Sequence, residues 1–311
     1  MTRRRQRWPG EVGTRLDTRL SANRDALEGL NADEHNFQSD VAGGITPYFI
    51  YAERPAITAE LTGDKTQVDP ILKELGDDNA RELTAQLCAA VMEVARVVAY
   101  QGRAVFEIAR DDQNAIRLVT IPGEGLWVFP WFCLQVIPKR DRERLKKRFN
   151  IVSTKRLWVV RMPRSLGGHW GYAAMKRRLA ANDHLGPGFF RKNLHISLNP
   201  SGYNFQTYGW ALDVFQEIAT RKWHWDRRDT SFDHSTEIYY VYKKFGFRAA
   251  QVTLRDHIVT EINRLFSMLG TSASVKWTKT PTAAELLEAR ERFLKGEIPI
   301  RQAISMCRQG T

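Results

Sequence analysis

The segment YQGRAVFEIARDDQNAIRLVTIP, residues 100–122, determines the fold class predicted for this chain. In its first half Ala104, Phe106 and Ile108 alternate along the chain with Arg103, Glu107 and Arg110 nearby, which is the pattern of a strand. DDQN then forms a polar turn, and AIRLVTIP returns as a second strand. The segment therefore predicts the end of a helix followed by an antiparallel strand pair.

A long amphipathic helix is predicted immediately before this strand pair, over residues 79–102. Gly102 supplies its C-terminal stop, and Asp77, Asp78 and Asn79 are the candidates for its N-terminal cap. An apolar helix face needs a partner surface, and an antiparallel sheet next in sequence is the expected one. The apolar stripe consists of Leu83, Leu87, Val91, Val94 and Val98.

The rest of the chain mixes predicted helices and strands, so the fold class is α+β with antiparallel strands. Strands are predicted at 126–137, 155–163, 236–247 and 272–279. Helices are predicted at 171–188, 209–228, 251–270, 280–296 and 298–307, and a charged helix or loop at 139–149. In the helix at 209–228 we expect Trp210, Val214, Ile218 and Trp225 on one face, and at 280–296 we expect Thr280 and Pro281 to cap the helix.

Four regions follow from these changes in character. Residues 1–44 form a polar, basic N-terminal arm, and residues 45–165 form an α+β region. Residues 166–270 are rich in helix, and residues 271–311 carry a C-terminal strand and helices. The sequence shows neither an internal repeat nor a low-complexity segment, so these regions are predicted to build one mixed protomer.

Charge is distributed very unevenly along the chain. The total is +12, yet residues 137–195 alone hold sixteen Lys or Arg against three Asp or Glu, whereas residues 25–136 hold eight against eighteen. A basic segment of this size usually faces a polyanion, and the alternative is a solvated face paired with the acidic segment across an interface. The candidate DNA- or partner-binding residues are Lys139, Arg140, Arg144, Lys146, Lys147, Arg148, Lys176, Arg177, Arg178, Arg191 and Lys192.

Signatures of several functional classes are absent from the sequence. There is no Gly-rich phosphate loop, no GxSxG and no CxxC pair, and Cys88, Cys133 and Cys307 are expected to be small buried residues. No run of 18 apolar residues exists, and the basic N-terminus has no apolar stretch behind it, so neither a membrane span nor a secretory signal is expected. We expect no catalytic residues and no cofactor.

One polar cluster keeps an enzymatic alternative open. Asp226, Asp229, Asp233 and His234 lie close together in the sequence, and converging carboxylates with a histidine can hold the metal ion of a nuclease. The spacing matches no ligand motif, and polar loop residues after an aromatic-rich helix explain it more simply. A metal-dependent nuclease is therefore an alternative function, and a DNA-binding accessory protein that forms no ring is another.

Taken in order, these segments resemble a portal protein, the head-tail connector of a tailed bacteriophage. Tyr100 and Gly102 end an apolar helix, and the strand pair GRAVFEIARDDQNAIRLVTIP returns to an I-P corner, as portal chains do. The segment RMPRSLGGHWGYAAMKRRLAANDHLGPGFFRKN is similar to a portal region of Gly, small-residue helix and FF. LLEARERFLKGEIPIRQAIS is similar to the portal pattern of helix, Gly turn and short final helix.

The resemblance implies a structural, non-enzymatic protein with wing, stem and clip regions, about twelve copies of which form a ring at one capsid vertex. It implies a central channel for packaging and ejecting double-stranded DNA, with the helices at 209–228 and 250–269 near the channel. The implied partners are the other subunits, the DNA, the major capsid protein, the terminase and the head-completion or tail adaptor proteins. The implied location is the virion, and the host cytoplasm during assembly.

Overall fold

The computed structural model describes residues 33–46, 58–76, 80–112, 115–121, 126–137, 142, 146–180, 214–225 and 237–309. Helices and antiparallel strands are mixed along this part of the chain, as the sequence predicts. The first half contains α1 (Asp33–Gly43), β1 (Thr58–Thr62), α2 (Lys65–Leu75), α3 (Leu83–Gln101), β2 (Arg103–Arg110), β3 (Ile116–Thr120), β4 (Leu126–Val128), β5 (Phe132–Val136), β6 (Phe149–Ser153) and β7 (Leu157–Arg161). The second half contains α4 (168–180), α5 (214–219), α6 (Glu237–Met268), β8 (Ser274–Thr278), α7 (Ala283–Leu294) and α8 (Ile300–Gln309).

The helix and strand pair that decide the fold class are present as predicted. Helix α3 ends at Gly102, which adopts a left-handed backbone conformation and donates its N–H to the Val98 carbonyl. Strands β2 and β3 pair antiparallel, with Phe106 opposite Thr120 and Arg110 opposite Ile116. The cap prediction is wrong, because the residue that precedes the first turn of α3 is Glu82, not one of the three polar residues at 77–79.

Strand β2 lies at the centre of a layered arrangement. The sheet in the order β3-β2-β7 is covered by helices on one face, where Phe106 stacks on Trp158 at 5.0 Å between ring centroids. Its other face packs through Val105 and Leu157 onto the inner face of a second sheet in the order β4-β5-β6. The described chain therefore has a layer of helices, a middle sheet with both faces packed, and an outer sheet.

Helix α6 runs along both parts of the core. It has 32 residues and is about 48 Å long. Its first half packs with α7 and α8 through Val241 and Phe245, whereas its second half packs with α3 and the sheets through Ile258 and Ile262. This helix is the longest element of the described chain, and it joins two apolar clusters into one body.

A buried arginine fastens two further elements to α6. The Arg248 guanidinium donates hydrogen bonds to the carbonyls of Gly44, after α1, and of Cys307 in α8. Burial lowers the pKa of Arg248 to about 10, so the group remains protonated at neutral pH. The contacts therefore satisfy a buried charge while holding the ends of α1 and α8 against the central helix.

The predicted strand at 236–247 is wrong, because residues 237–247 form the first turns of α6. Alternating Ile238, Tyr240 and Tyr242 favour a strand, but Ile238 is 57% exposed and buries little. The stripe that decides the conformation has helical spacing, and tertiary packing along it overrides local strand propensity. It consists of Val241, Phe245, Ala249 and Val252.

The predicted helix at 209–228 is confirmed at residues 214–219 and wrong for the described residues that follow them. Residues 214–219 are helical, and a series of turns follows to His224. Val214 and Ile218 face solvent, whereas Trp223 and Trp225 are buried against Phe37 of α1 in edge-to-face contacts. The two tryptophans pack against α1, and a local helical pattern in the sequence cannot indicate that contact.

Smaller corrections concern the boundaries of individual strands and helices. The single strand predicted at 126–137 is two strands, β4 and β5, because Pro130 breaks the run. Helix α7 is capped by Thr282, whose hydroxyl accepts from the Glu285 N–H in a capping box, not by Thr280 and Pro281. The strands predicted at 155–163 and 272–279 and the helices at 251–270 and 298–307 are confirmed in substance by β7, β8, α6 and α8.

The N-terminal region contributes to the core where it is described. Phe37 and Val41 of α1, within the predicted arm, are fully buried in the main cluster. Strand β1 pairs antiparallel with β8, so early and late parts of the chain share a two-stranded sheet. The four-region division stays a prediction.

Among the described helices, α3 is long and apolar enough to cross a membrane by length and composition alone. More than half of that window is buried inside the fold, and core helices share this composition. The expectation that no membrane span is present stays a prediction.

A close contact at Gly246 leads to a prediction about the stability of the protein. A Cβ at this position of α6 would lie 2.5 Å from Cγ of His224, which itself has a left-handed backbone. We expect Gly246→Ala to destabilise the protein by about 1–3 kcal/mol in chemical denaturation, because the imidazole is displaced. Gly171→Ala in α4 is the matched control, since a Cβ there meets nothing within 4 Å, and it should be neutral or slightly stabilising. Equal effects of the two changes would contradict this contact.

Candidate assembly surface

The outer sheet face, meaning the side of β4-β5-β6 that points away from the core, carries large apolar side chains in contact with solvent. Trp127 is 62% exposed, Phe149 54% and Ile151 67%. Trp131, in the turn between β4 and β5, is 79% exposed. Exposed apolar side chains grouped on one sheet face are typical of a surface that contacts another molecule.

Strand register brings these side chains together. Trp127 of β4 is opposite Leu134 of β5, and Leu134 is opposite Ile151 of β6. The three residues therefore form one row across the sheet, on the side opposite the buried Cys133 and Val152. Because side chains alternate along each strand, the same pairing that buries the inner face forces this row outward.

The turn before β5 holds the exposed tryptophan in place. Phe129 donates its N–H to the Phe132 carbonyl at 2.9 Å, and the two rings stack at 4.7 Å between centroids. The carbonyls of Pro130 and Trp131 accept hydrogen bonds from Thr154 at 3.1 and 3.2 Å. The turn is therefore fixed to the end of β6, and Trp131 projects from an ordered support.

A cationic rim borders this face. Lys146, Lys147 and Arg148 lead into β6, and Lys155 and Arg156 follow it, all five being exposed. The described residues from 126 to 156 include no Asp or Glu, and the carboxylate that interacts with this rim is Glu107 of β2, through Arg156. The surface combines an apolar centre with positive charge at its edge.

The structure places the predicted basic residues in different settings. Lys146, Lys147 and Arg148 lie beside the outer sheet face, and Arg177 and Arg178 are exposed on α4. Lys176 instead turns inward: its ammonium contacts the Tyr100 carbonyl and forms an ion pair with Glu34 at 3.2 Å. That residue stabilises the fold and is a poor candidate for binding a partner. Lys139, Arg140, Arg144, Arg191 and Lys192 lie outside the described residues.

The three cysteine thiols are buried and have structural roles. Burial raises the pKa of the Cys133 thiol to about 11, and that of Cys88 and Cys307 to about 12. These buried thiols are therefore protonated and unreactive at neutral pH, as the sequence predicts.

Across the described ranges, no group of three or more His, Cys, Asp or Glu could hold a metal ion. The alternative nuclease residues Asp226, Asp229, Asp233 and His234 lie outside these ranges.

The outer sheet face was missed by sequence reasoning, although a signal for it was present. Treating 126–137 as one strand hides the hairpin, whereas Pro130 marks a turn in the middle of the run. Alternation within the second half then assigns Cys133 and Gln135 to one face and Leu134 to the other. With both faces apolar, the sequence does not indicate which one the core covers.

Comparison of the chain with models of known protein families and with curated proteins found no match.

Proposed function

We propose that this chain is a structural subunit that assembles into a ring of the portal type, a conduit for double-stranded DNA at the capsid vertex of a tailed bacteriophage. The observation that carries the proposal is the outer sheet face, an apolar surface with a cationic rim that is left exposed in the single chain. Burying such a face favours association by about 25 cal/mol for each Å² of apolar area.

The order of elements supports the same proposal. The apolar helix α3, the Gly102 stop and the β2-β3 pair have the form on which the resemblance to portal proteins rests. The helix, Gly296 turn and short final helix of the portal pattern correspond to α7 and α8. We therefore propose, as partners, the other subunits, double-stranded DNA, the major capsid protein, the terminase and the adaptor proteins, in the virion and during its assembly.

Uneven charge fits a subunit that both assembles and contacts DNA. The segment 137–195 carries net positive charge and the segment 25–136 net negative charge, so neighbouring copies offer complementary surfaces. Cations that no neighbour covers are available to phosphate groups, which bind Lys and Arg without regard to base sequence. Assembly is tested by sedimentation of the purified chain, where a species of about twelve subunits is expected.

Substitution of the exposed arginines of α4 tests whether this helix binds DNA. We expect Arg177→Glu combined with Arg178→Glu to weaken binding of duplex DNA at low salt and to reduce the slope of log K against log salt by about two. Both side chains are exposed, so the change should leave stability within about 0.5 kcal/mol. The measurement is a fluorescence anisotropy titration at several salt concentrations.

Lys176→Gln is the control for the neighbouring charge. Lys176 is paired with Glu34, so its loss should lower stability and leave the salt slope almost unchanged. If the double arginine variant binds DNA as the wild type does at low salt, α4 is a solvated face and takes no part in DNA binding.

A further inference from the structure

We infer that the outward side of helix α4 binds a nucleic-acid strand with unpaired bases, which stack on Trp170 while Arg177 and Arg178 contact the phosphates. The inference rests on the DNA contact that the proposed function gives to α4, and it adds the form of nucleic acid that this helix prefers. The outer sheet face takes no part in this site.

Helix α4 carries a very exposed tryptophan in its first turn. Trp170 is 81% exposed, the largest exposed fraction among the large apolar side chains of the described residues. The His169 imidazole lies edge-to-face against the indole, at 5.1 Å between ring centroids. Nδ1 of His169 is 3.4 Å from the Gly102 carbonyl oxygen at the end of α3. The indole therefore projects from a supported position and keeps most of its surface open to solvent.

Two arginines share this side of the helix. Arg177 and Arg178 are seven and eight positions after Trp170, and both are exposed. Such spacings place side chains on one side of a helix, here opposite the buried Tyr172. The stripe from Trp170 to Arg178 is about 12 Å long. At about 3.4 Å for each nucleotide of a stacked strand, it has room for about three or four nucleotides.

The charge around this stripe suits phosphate groups. The described residues from 146 to 180 include no Asp or Glu, and Arg164 is exposed in the turn before α4. Glu34 of α1 borders the same cavity as Arg177. Its carboxylate is already engaged, because it pairs with Lys176 at 3.2 Å and accepts a hydrogen bond from Gln38 at 2.8 Å. The stripe therefore presents cations to solvent, and the carboxylate beside it is paired within the chain.

Stacking decides between an unpaired strand and a duplex. In a duplex the faces of each base are covered by neighbouring base pairs, whereas an unpaired base can lie flat on an indole. Such a contact contributes about 1–3 kcal/mol for each base. Contacts between arginine and phosphate form with either kind of nucleic acid. Trp170 therefore supplies the preference for unpaired bases, and the arginines supply affinity that falls as salt rises.

Other partners suit this side of α4 less well. A helix that lies in a membrane surface buries a broad apolar face, and a stable protein interface has an apolar centre. The outward residues beside Trp170 are Gly171 and Ala174, so the indole stands alone among small and cationic side chains. A single aromatic ring with cations along one line matches a strand of stacked bases and phosphates.

Fluorescence anisotropy tests the site with a labelled oligothymidylate of about twelve nucleotides and a duplex of the same length. We expect Trp170→Ala to weaken single-strand binding about tenfold or more, to change duplex binding less than about twofold, and to leave the salt dependence of log K unchanged. Arg177→Glu combined with Arg178→Glu should weaken binding of both forms and reduce the single-strand salt slope by about 1.4. Trp170→Phe keeps a ring and should retain most of the affinity, whereas Trp170→Leu should bind as weakly as the alanine variant.

Trp131→Ala is the matched control, because Trp131 is 79% exposed on the outer sheet face and its loss should leave single-strand binding unchanged. Normal single-strand binding by Trp170→Ala or Trp170→Leu would overturn the inference, and so would an equal loss on duplex. Weakened binding in Trp131→Ala alone would move the strand to the outer sheet face. Loss of binding to phosphatidylglycerol vesicles, with single-strand binding intact, would assign Trp170 to a membrane instead.

Sedimentation of the same variants reports assembly separately from binding. A monomeric wild type that shows the expected binding pattern would overturn the ring and leave this inference standing. A ring whose Trp170→Ala form binds the single strand normally would overturn this inference alone. If only the double arginine variant weakens binding, the phosphate contact of the proposed function stands and the stacking contact is wrong.

Discussion

Replacing Trp158 by alanine will lower the free energy of unfolding by about 3–5 kcal/mol. Its indole is fully buried, stacks on Phe106 and donates its Nε1–H to the Glu261 carbonyl at 3.0 Å. The side chain thus ties β7 to α6, and its loss leaves a cavity between the buried sheet and the helical layer. Urea denaturation followed by circular dichroism measures the change.

Trp170→Ala is the matched control for this prediction. Trp170 is 81% exposed on α4, so its truncation should alter stability by no more than about 0.5 kcal/mol. Trp158→Phe keeps most of the ring volume and removes the N–H donor, and its cost should fall between those of the two alanine variants. A loss below about 1 kcal/mol for Trp158→Ala would show that the layers do not pack through this residue.

Replacing Ile151 by lysine should have the largest effect on assembly. The residue is 67% exposed at the centre of β6, so the lysine can reach solvent in the isolated subunit. In a covered interface the same charge loses its water and meets the cationic rim, at a cost of about 2 kcal/mol or more, or roughly thirtyfold in association. The weight-average mass at equal protein concentration is the measurement.

A control separates this effect from a general effect of added charge. Met92 of α3 is 39% exposed and lies on a different element, so Met92→Lys should leave assembly unchanged. Both variants should unfold within about 0.5 kcal/mol of the wild type. Normal assembly of Ile151→Lys would remove the outer sheet face from the subunit contact.

The fold class could be predicted because its signals are local. Helix α3 has an apolar stripe at helical spacing and a glycine stop, and β2 and β3 have strand alternation around a polar turn. In these elements propensity, periodicity and turn chemistry agree, so tertiary packing has nothing to override. Strand β8 and helix α8 were predictable for the same reason.

The errors fall where tertiary contacts decide. The beginning of α6 carries tyrosines that favour a strand, but packing of Val241 and Phe245 against α7 and α8 makes it helical. Trp225 was assigned to a helix face, whereas its indole N–H donates to Asp40 of α1 at 3.0 Å. Neither contact can be derived from residues nearby in the sequence.

Only the positive charge of the candidate surface was predicted from the sequence. Lys146, Lys147 and Arg148 were identified from the basic segment, and they do lie exposed beside β6. The apolar centre was missed because both faces of β5 are apolar, and only the position of the neighbouring sheet determines which face is buried. Lys176 shows the converse case, in which a basic residue within the same segment is used internally.

The most direct test of the central claim is the assembly state of the purified wild-type chain, by native mass spectrometry together with negative-stain electron microscopy. The account predicts a closed ring of about twelve subunits around a central hole, which dissociates as salt rises because charge pairs contribute to the contact. A single monomeric species at every protein concentration, with no rings in the images at low salt, would contradict it.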